Sequence, residues 1–161
     1  MPSICVGTYA KYNSGTCKGD WLVLGNYACK QDFYEACAEL HDDEADPEFI
    51  FLGWEDIPSI FITECSIDEE FWNYMDCSLD EDVKEAYVDA MGVWNEEDCK
   101  HSYIGEFRSD TELAEHVVDE MGFPSEMSGQ LRYYFDYEAY GRDMRLGGDV
   151  MECNGYYFWR K

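Results

Sequence analysis

Ser109-Asp110-Thr111-Glu112-Leu113-Ala114-Glu115-His116-Val117-Val118-Asp119-Glu120-Met121-Gly122 is the most sharply punctuated run in the chain. Ser109 and Glu112 have the spacing of a capping box, in which each side chain satisfies a backbone N–H that the first helical turn leaves free. Leu113, Ala114, Val117, Val118 and Met121 then recur at helical spacing and form one apolar stripe. Gly122 supplies a stop, and Pro124 two residues on prevents continuation. Further on, Asp149–Cys153 and Tyr156–Arg160 are strand-like runs on either side of Asn154-Gly155, a dipeptide suited to a tight hairpin turn. A capped helix followed by a hairpin reads as α+β.

Outward from this helix the remaining elements follow the same logic. Ser3–Thr8 and Trp21–Leu24 read as strands separated by the turn residues Asn13-Ser14-Gly15, and Glu48–Leu52 reads as a third strand ending at Gly53. Gln31–Leu40 reads as a helix with Phe33, Ala36, Cys37 and Leu40 on one face. Asp68 or Ser66 is placed to cap a helix carrying Phe71, Trp72 and Met75. A further helix is expected over Leu79–Val93, with Val83, Ala86, Tyr87, Ala90 and Met91 inward. Ser125–Tyr140 is expected to be helical with a break near Asp136. The pattern predicts three small subdomains: residues 1–61, a sheet with one helix; residues 62–103, mainly helical and acidic; and residues 104–161, helices with a β-hairpin.

The charge is extreme and unevenly placed. The 161 residues carry a formal net charge of −25. Solubility alone is usually served by a net charge of about 2–8 in a small domain. Residues 31–130 hold thirty acids and three bases, whereas residues 1–30 and 131–161 are nearly balanced. Adaptation to a salty solvent would spread acids over the whole surface. Charge concentrated in one segment points instead to a basic partner. At one charge per roughly 1.7 Å of duplex axis, that segment matches about 46 Å of DNA.

Three expected helices repeat one acidic spacing. Asp32, Glu35 and Glu39 lie at i, i+3 and i+7, as do Asp82, Glu85 and Asp89, and Glu112, Glu115 and Asp119. Such residues share a helix face, with neighbours about 4.5–6 Å apart along the axis. Any amphipathic helix has a charged outer face, but an ordinary one mixes signs to gain favourable pairs. Lys84 is the only base within these three segments. Asp42, Asp43, Glu44, Asp46, Glu69, Glu70, Asp80, Glu96 and Glu97 join them as candidate members of an acidic binding surface.

No catalytic, metal or cofactor site is expected. The eight cysteines form no C-x-x-C pair and are read as reduced, mostly core thiols. Cys37 with His41 and Cys99 with His101 make only isolated pairs. Asp76-x-Ser78-x-Asp80-x-Asp82 opens like a calcium loop but has Glu81 where glycine is required and Tyr87 where a bidentate glutamate is required. His41 and His116 lie on or beside acidic helices and are expected to be solvated. No Walker loop or G-x-S-x-G occurs, and no stretch is long and apolar enough to cross a membrane. Met1–Ala10 has no export-signal pattern, so a cytoplasmic location is expected.

Three ordered blocks resemble a known family. Val6-Gly7-Thr8-Tyr9, Lys11-Tyr12-Asn13, Gly15, Gly19 and Trp21 are similar to the amino-terminal signature of the ArdA antirestriction proteins. Ala36-Cys37, Leu40-His41 and Asp43-Glu44-Ala45-Asp46-Pro47-Glu48 are similar to that family's next block. Tyr134-Phe135-Asp136-Tyr137-Glu138-Ala139-Tyr140-Gly141-Arg142-Asp143-Met144 resembles its antirestriction motif, with Met144 in place of a closing leucine. The resemblance implies an elongated homodimer that mimics bent B-form DNA. It also implies competitive binding in the DNA groove of a type I restriction–modification enzyme, with no catalysis. It implies carriage on mobile elements in bacterial hosts, and no nucleic acid bound directly.

Residues Tyr134, Phe135, Asp136, Tyr137, Glu138, Ala139, Tyr140, Arg142, Asp143 and Met144 are too apolar and too balanced in charge for a phosphate-like surface, and core or dimer interface is the expected role. The competing function is an acidic chaperone or regulator of another basic DNA-binding protein. A mimic needs its carboxylates held at fixed spacing, whereas a charge sponge does not. A hydrolase using paired carboxylates is a third possibility, in which one substitution would abolish activity rather than weaken it.

Overall fold

A computed structural model describes residues 1–16, 18–123, 127 and 129–160. The chain is α+β and divides into two compact units, Met1–Ser78 and Leu79–Lys161.

The first unit is built on a three-stranded antiparallel sheet. Strand β1 (Ser3–Thr8) is central, between β2 (Asp20–Val23) and β3 (Phe49–Glu55). β1 is buried along nearly its whole length, as its position between two partners requires. Thr8 closes the strand and caps the short helix α1 (Tyr9–Asn13), its Oγ1 accepting from the Lys11 N–H at 3.3 Å. Helix α2 (Lys30–Leu40) covers the sheet through Phe33 and Cys37. Phe33 centres an aromatic core, its ring 5.7 Å from Tyr27, 6.1 Å from Phe51 and 6.3 Å from Trp72. Helix α3 (Glu70–Asp76) supplies Phe71, Trp72 and Tyr74, and the Trp72 indole N–H donates to the Tyr27 carbonyl at 3.0 Å.

Two expectations for this unit are corrected. β3 does not end at Gly53 but continues to Glu55, because a bulge between Cys5 and Val6 shifts the register and lets pairing resume. In α3 Tyr74 is buried and Met75 only half-buried, since the helix begins at Glu70 and turns Tyr74 toward Phe61 and Phe71. Asp68 does serve the start of α3, accepting from the Glu70 N–H at 3.0 Å.

The second unit has its own antiparallel sheet, in the order β4 (Tyr103–Glu106), β6 (Tyr156–Trp159), β5 (Val150–Cys153). The turn Asn154-Gly155 has φ of 53° and 87°, the left-handed pair that a two-residue hairpin needs to match strand twist. Helix α4 (Glu81–Met91) is shorter than the expected Leu79–Val93, stopped by Gly92 in the left-handed conformation. It packs Val83, Ala86 and Tyr87 against Cys99 and Phe158. Residues 96–106 hold a separate helix α5 (Glu96–Ser102), capped by Asn95, and then β4, which the sequence reading did not resolve.

Helix α6 (Asp110–Met121) spans its expected run, with Ser109 Oγ accepting from the Glu112 N–H at 3.2 Å and Leu113, Ala114, Val117 and Val118 buried, but Met121, expected on the same stripe, is 75% exposed at the helix end. The helix expected over Ser125–Tyr140 is corrected before Asp136, while the break expected near Asp136 is present. Residues 124–126 and 128 lie outside the described residues, Leu131–Tyr134 is a single 3₁₀ turn, and helix α7 (Tyr137–Gly147) begins only where Asp136 Oδ1 accepts from the Ala139 N–H at 2.9 Å. Leu113, Ala114, Val117, Met144, Val150 and Tyr157 make the core that joins α6, α7 and the sheet.

Candidate functional site

Three helices bury one stripe and expose carboxylates on the other. On α2, Asp32, Glu35 and Glu39 are exposed opposite Phe33 and Cys37. On α4, Asp82, Glu85 and Asp89 are exposed opposite Val83, Ala86 and Tyr87. On α6, Glu115 and Asp119 are exposed, but Glu112 is half-buried, and its Oε2 accepts from the Arg108 N–H at 2.9 Å. Glu112 therefore serves the helix start. Lys84 does not dilute the face of α4. Its side chain is 2% exposed, and its Nζ lies 2.9 Å from Glu81 Oε2.

The sheet adds one carboxylate, Glu106, to the α4 side. The Tyr156 phenol is held above its usual range by partial desolvation first and then by Glu106, Asp82 and Asp80. The Cys153 thiol is raised by burial first and then by Asp89 and Glu152. Glu106, paired with Tyr156 across the sheet, thus shares the α4 side, whereas Glu152 pairs with Tyr157 on the other face of the sheet and its Oε1 accepts from the Gly155 N–H at 2.9 Å. Helix periodicity could not have shown this, because Glu106 reaches it from a strand.

The remaining acids separate into outward and internally engaged groups. Asp42, Asp46, Glu69, Glu70, Asp80 and Glu97 are exposed. Glu96 is half-buried and pairs with Lys100 at 2.5 Å. Asp43 and Glu44 converge on Lys11, whose Nζ lies 2.7 Å from Asp43 Oδ1 and 3.6 Å from Glu44 Oε1. That hydrogen bond holds the Asp43 carboxyl below its usual range and raises the Lys11 ammonium. Thr8 Oγ1 donates to Glu44 Oε1 at 2.6 Å.

His41 is corrected from solvated to buried. It is 4% exposed, and its Nδ1 lies 3.0 Å from Lys11 Nζ. An ammonium can only donate, so Nδ1 accepts and the ring proton sits on Nε2, which has no partner among the described residues. Ligand atoms of His41, Asp43 and Glu44 lie within 4.8 Å of one another, a spacing a metal could use, but the cation at their centre is Lys11. His116 is half-buried against the Phe107 ring at 5.0 Å. Cys37, the helical neighbour of His41, is a core thiol that burial pushes up to about 12. Seven cysteines are free thiols among the described residues; Cys37, Cys77 and Cys99 are buried and Cys65 is exposed.

The aromatic run near the chain's end divides between core and surface. Met144 and Gly141 are buried, while Glu138, Arg142 and Asp143 are exposed. Phe135 gathers Phe123, Tyr137 and Tyr140 at ring separations of 5.2, 4.9 and 5.4 Å. Tyr133 and Tyr134 stand out at 89% and 85% exposure. Among the described residues the ion pair of Arg142 is with its neighbour Asp143, at 3.4 Å.

The class these features define is an acidic α+β protein that presents carboxylates from rigid helices. The model of the antirestriction protein (ArdA) family matches residues 4–158, and the chain belongs to that family. No curated protein matches it. No helix among the described residues is long and apolar enough to cross a membrane.

Proposed function

We propose that this protein inhibits a type I restriction–modification enzyme by mimicking B-form DNA in the enzyme's DNA groove. Membership of an antirestriction family supports the target class. The observation that carries the mimicry is the exposed, single-sign faces of α2 and α4, Asp32, Glu35, Glu39 and Asp82, Glu85, Asp89, each backed by a packed apolar stripe. A helix fixes such carboxylates about 4.5–6 Å apart along its axis. They replace phosphates against the Lys and Arg of the groove, and the block is an equilibrium competition that needs no catalytic residue.

The working form is a homodimer in the cytoplasm of a bacterial host. Exposed Tyr133 and Tyr134, beside the partly buried cluster of Phe135 and Tyr137, support the antirestriction-like motif as its interface. Aromatics of this kind are enriched at the centres of protein interfaces.

A competition titration tests this. A purified type I modification complex holds a labelled duplex carrying its site, and the protein is added at several salt concentrations. Displacement at near-stoichiometric protein that weakens with salt is expected. Absence of displacement at low salt refutes the mimicry and leaves a regulator of some other basic protein as the reading to pursue.

A further inference from the structure

We infer that Lys11 is a positioning residue for the acidic loop of residues 41–48, holding it in the form that meets the basic groove. This rests on the competitive reading above.

The loop is dense in acids and has no helix to hold them. Asp42, Asp43, Glu44, Asp46 and Glu48 lie within seven residues, and mutual repulsion alone would splay them. Three links tie the loop to the end of β1 and to α1. Lys11 Nζ bridges His41 Nδ1, Asp43 and Glu44. Thr8 donates to Glu44, and the Tyr9 N–H donates to the Glu48 carbonyl at 2.9 Å. His41 anchors the loop's start because it is buried beside the Phe49 ring.

The consequence is a division of labour within the loop. Glu44, with its side chain 19% exposed, is turned inward onto Lys11 and Thr8. Asp43 remains at the surface with its charge offset by Lys11. Asp42, Asp46 and Glu48 are exposed, and no hydrogen bond or ion pair engages their side chains among the described residues, so they are the carboxylates the loop offers to a partner. Lys11 thus lowers the net negative charge of the molecule and improves the placement of what remains.

Charge and placement predict opposite signs for one substitution. Lys11→Met makes the protein more acidic, so if attraction to a basic groove depended on net charge alone, it would bind more tightly. Positioning predicts competition about three- to tenfold weaker, the scale of one or two misplaced surface charges. The same duplex-displacement titration is run on the wild type, Lys11→Met and Lys11→Arg. Amide hydrogen exchange of residues 41–48 is measured on each protein, with melting temperature as the check on folding. Weaker competition by Lys11→Met, near-wild-type competition by Lys11→Arg, and faster exchange confined to the loop are expected. Should Lys11→Met not fold, Lys11→Gln takes its place, since it keeps a donor for His41 while removing the charge. Equal or tighter competition by the uncharged variant overturns the inference, and so does unchanged protection of the loop. If the wild type itself fails to displace DNA, the competitive reading falls, and the exchange comparison still decides whether Lys11 holds the loop.

Discussion

Gly141 lies directly against the backbone of Asp110: a Cβ placed on Gly141 would stand 1.9 Å from the Asp110 carbonyl oxygen. The start of α6 and the middle of α7 therefore meet with no room for a side chain. Gly141 falls inside the antirestriction-like motif, so part of that motif closes the core of the second unit. Gly141→Ala is expected to destabilise the protein by about 1–3 kcal/mol or more, since the obstruction is backbone and cannot rotate away. Urea unfolding of the variant at an unchanged midpoint would remove this account of the glycine.

The same Asp110 carboxylate joins three elements. Arg145 Nε donates to it at 2.8 Å from α7, and the Tyr157 hydroxyl donates at 2.8 Å from β6. Burial, and then the bond to Asp110, raise the Tyr157 phenol well above its usual range. A raised folded-state value means that this stability is complete below the unfolded phenol's value, about 10. It is lost as pH climbs from there toward the folded value. Tyr157→Phe should cost about 0.5–1.5 kcal/mol near neutral pH. The same substitution should flatten the loss of stability above pH 10. Parallel alkaline melting curves for the two proteins would count against the link.

Thiol reactivity should follow burial. Cys65 is exposed, whereas Cys37 is buried and pushed up to about 12, so almost none of it is thiolate at neutral pH. Brief alkylation of the native protein followed by mass mapping should label Cys65 first. Cys37 should be labelled only after denaturation. Comparable labelling of Cys37 in the native state would show that the α2 core opens readily.

Neutralising the face of α4 should weaken competition in steps. Asp82→Asn, Glu85→Gln and Asp89→Asn should each reduce it roughly two- to fivefold, as expected of exposed charges meeting a basic groove. Loss of all inhibition with one of these substitutions would point to a single critical carboxylate and against a distributed surface.

Arg142→Glu should shift the protein toward monomer before it weakens enzyme binding. Arg142 is exposed on the motif helix, its ion pair among the described residues being with adjacent Asp143. Sedimentation of the variant as an intact dimer would move the interface elsewhere.

Much of this was legible in the residues, for reasons of range. Capping, turn chemistry and hydrophobic periodicity act over a few positions, so α6, the Asn154-Gly155 hairpin, β1 and the acidic faces of α2 and α4 could be read directly. Strand β4 and helix α5 could not, because both are short and β4 takes its partner from β6, far along the chain. The single-sign composition of residues 31–130 was likewise plain, and so was the resemblance to the ArdA family, which the family match bears out.

Which acids outside those helix faces are engaged internally was decided by tertiary structure. Glu44 looks like any other carboxylate in the chain, yet it is drawn in by Lys11 and Thr8. Lys84 reads as a surface base and is a buried residue of α4, while His41 reads as solvated and is buried in contact with Lys11. The sequence by itself determined the sign and amount of the charge and the helices that carry it, because composition and local periodicity are properties of neighbours along the chain. Tertiary structure decided which charges are engaged and which are offered, because a partner thirty residues away in sequence, as Lys11 is from His41, comes within hydrogen-bonding reach only when the chain folds.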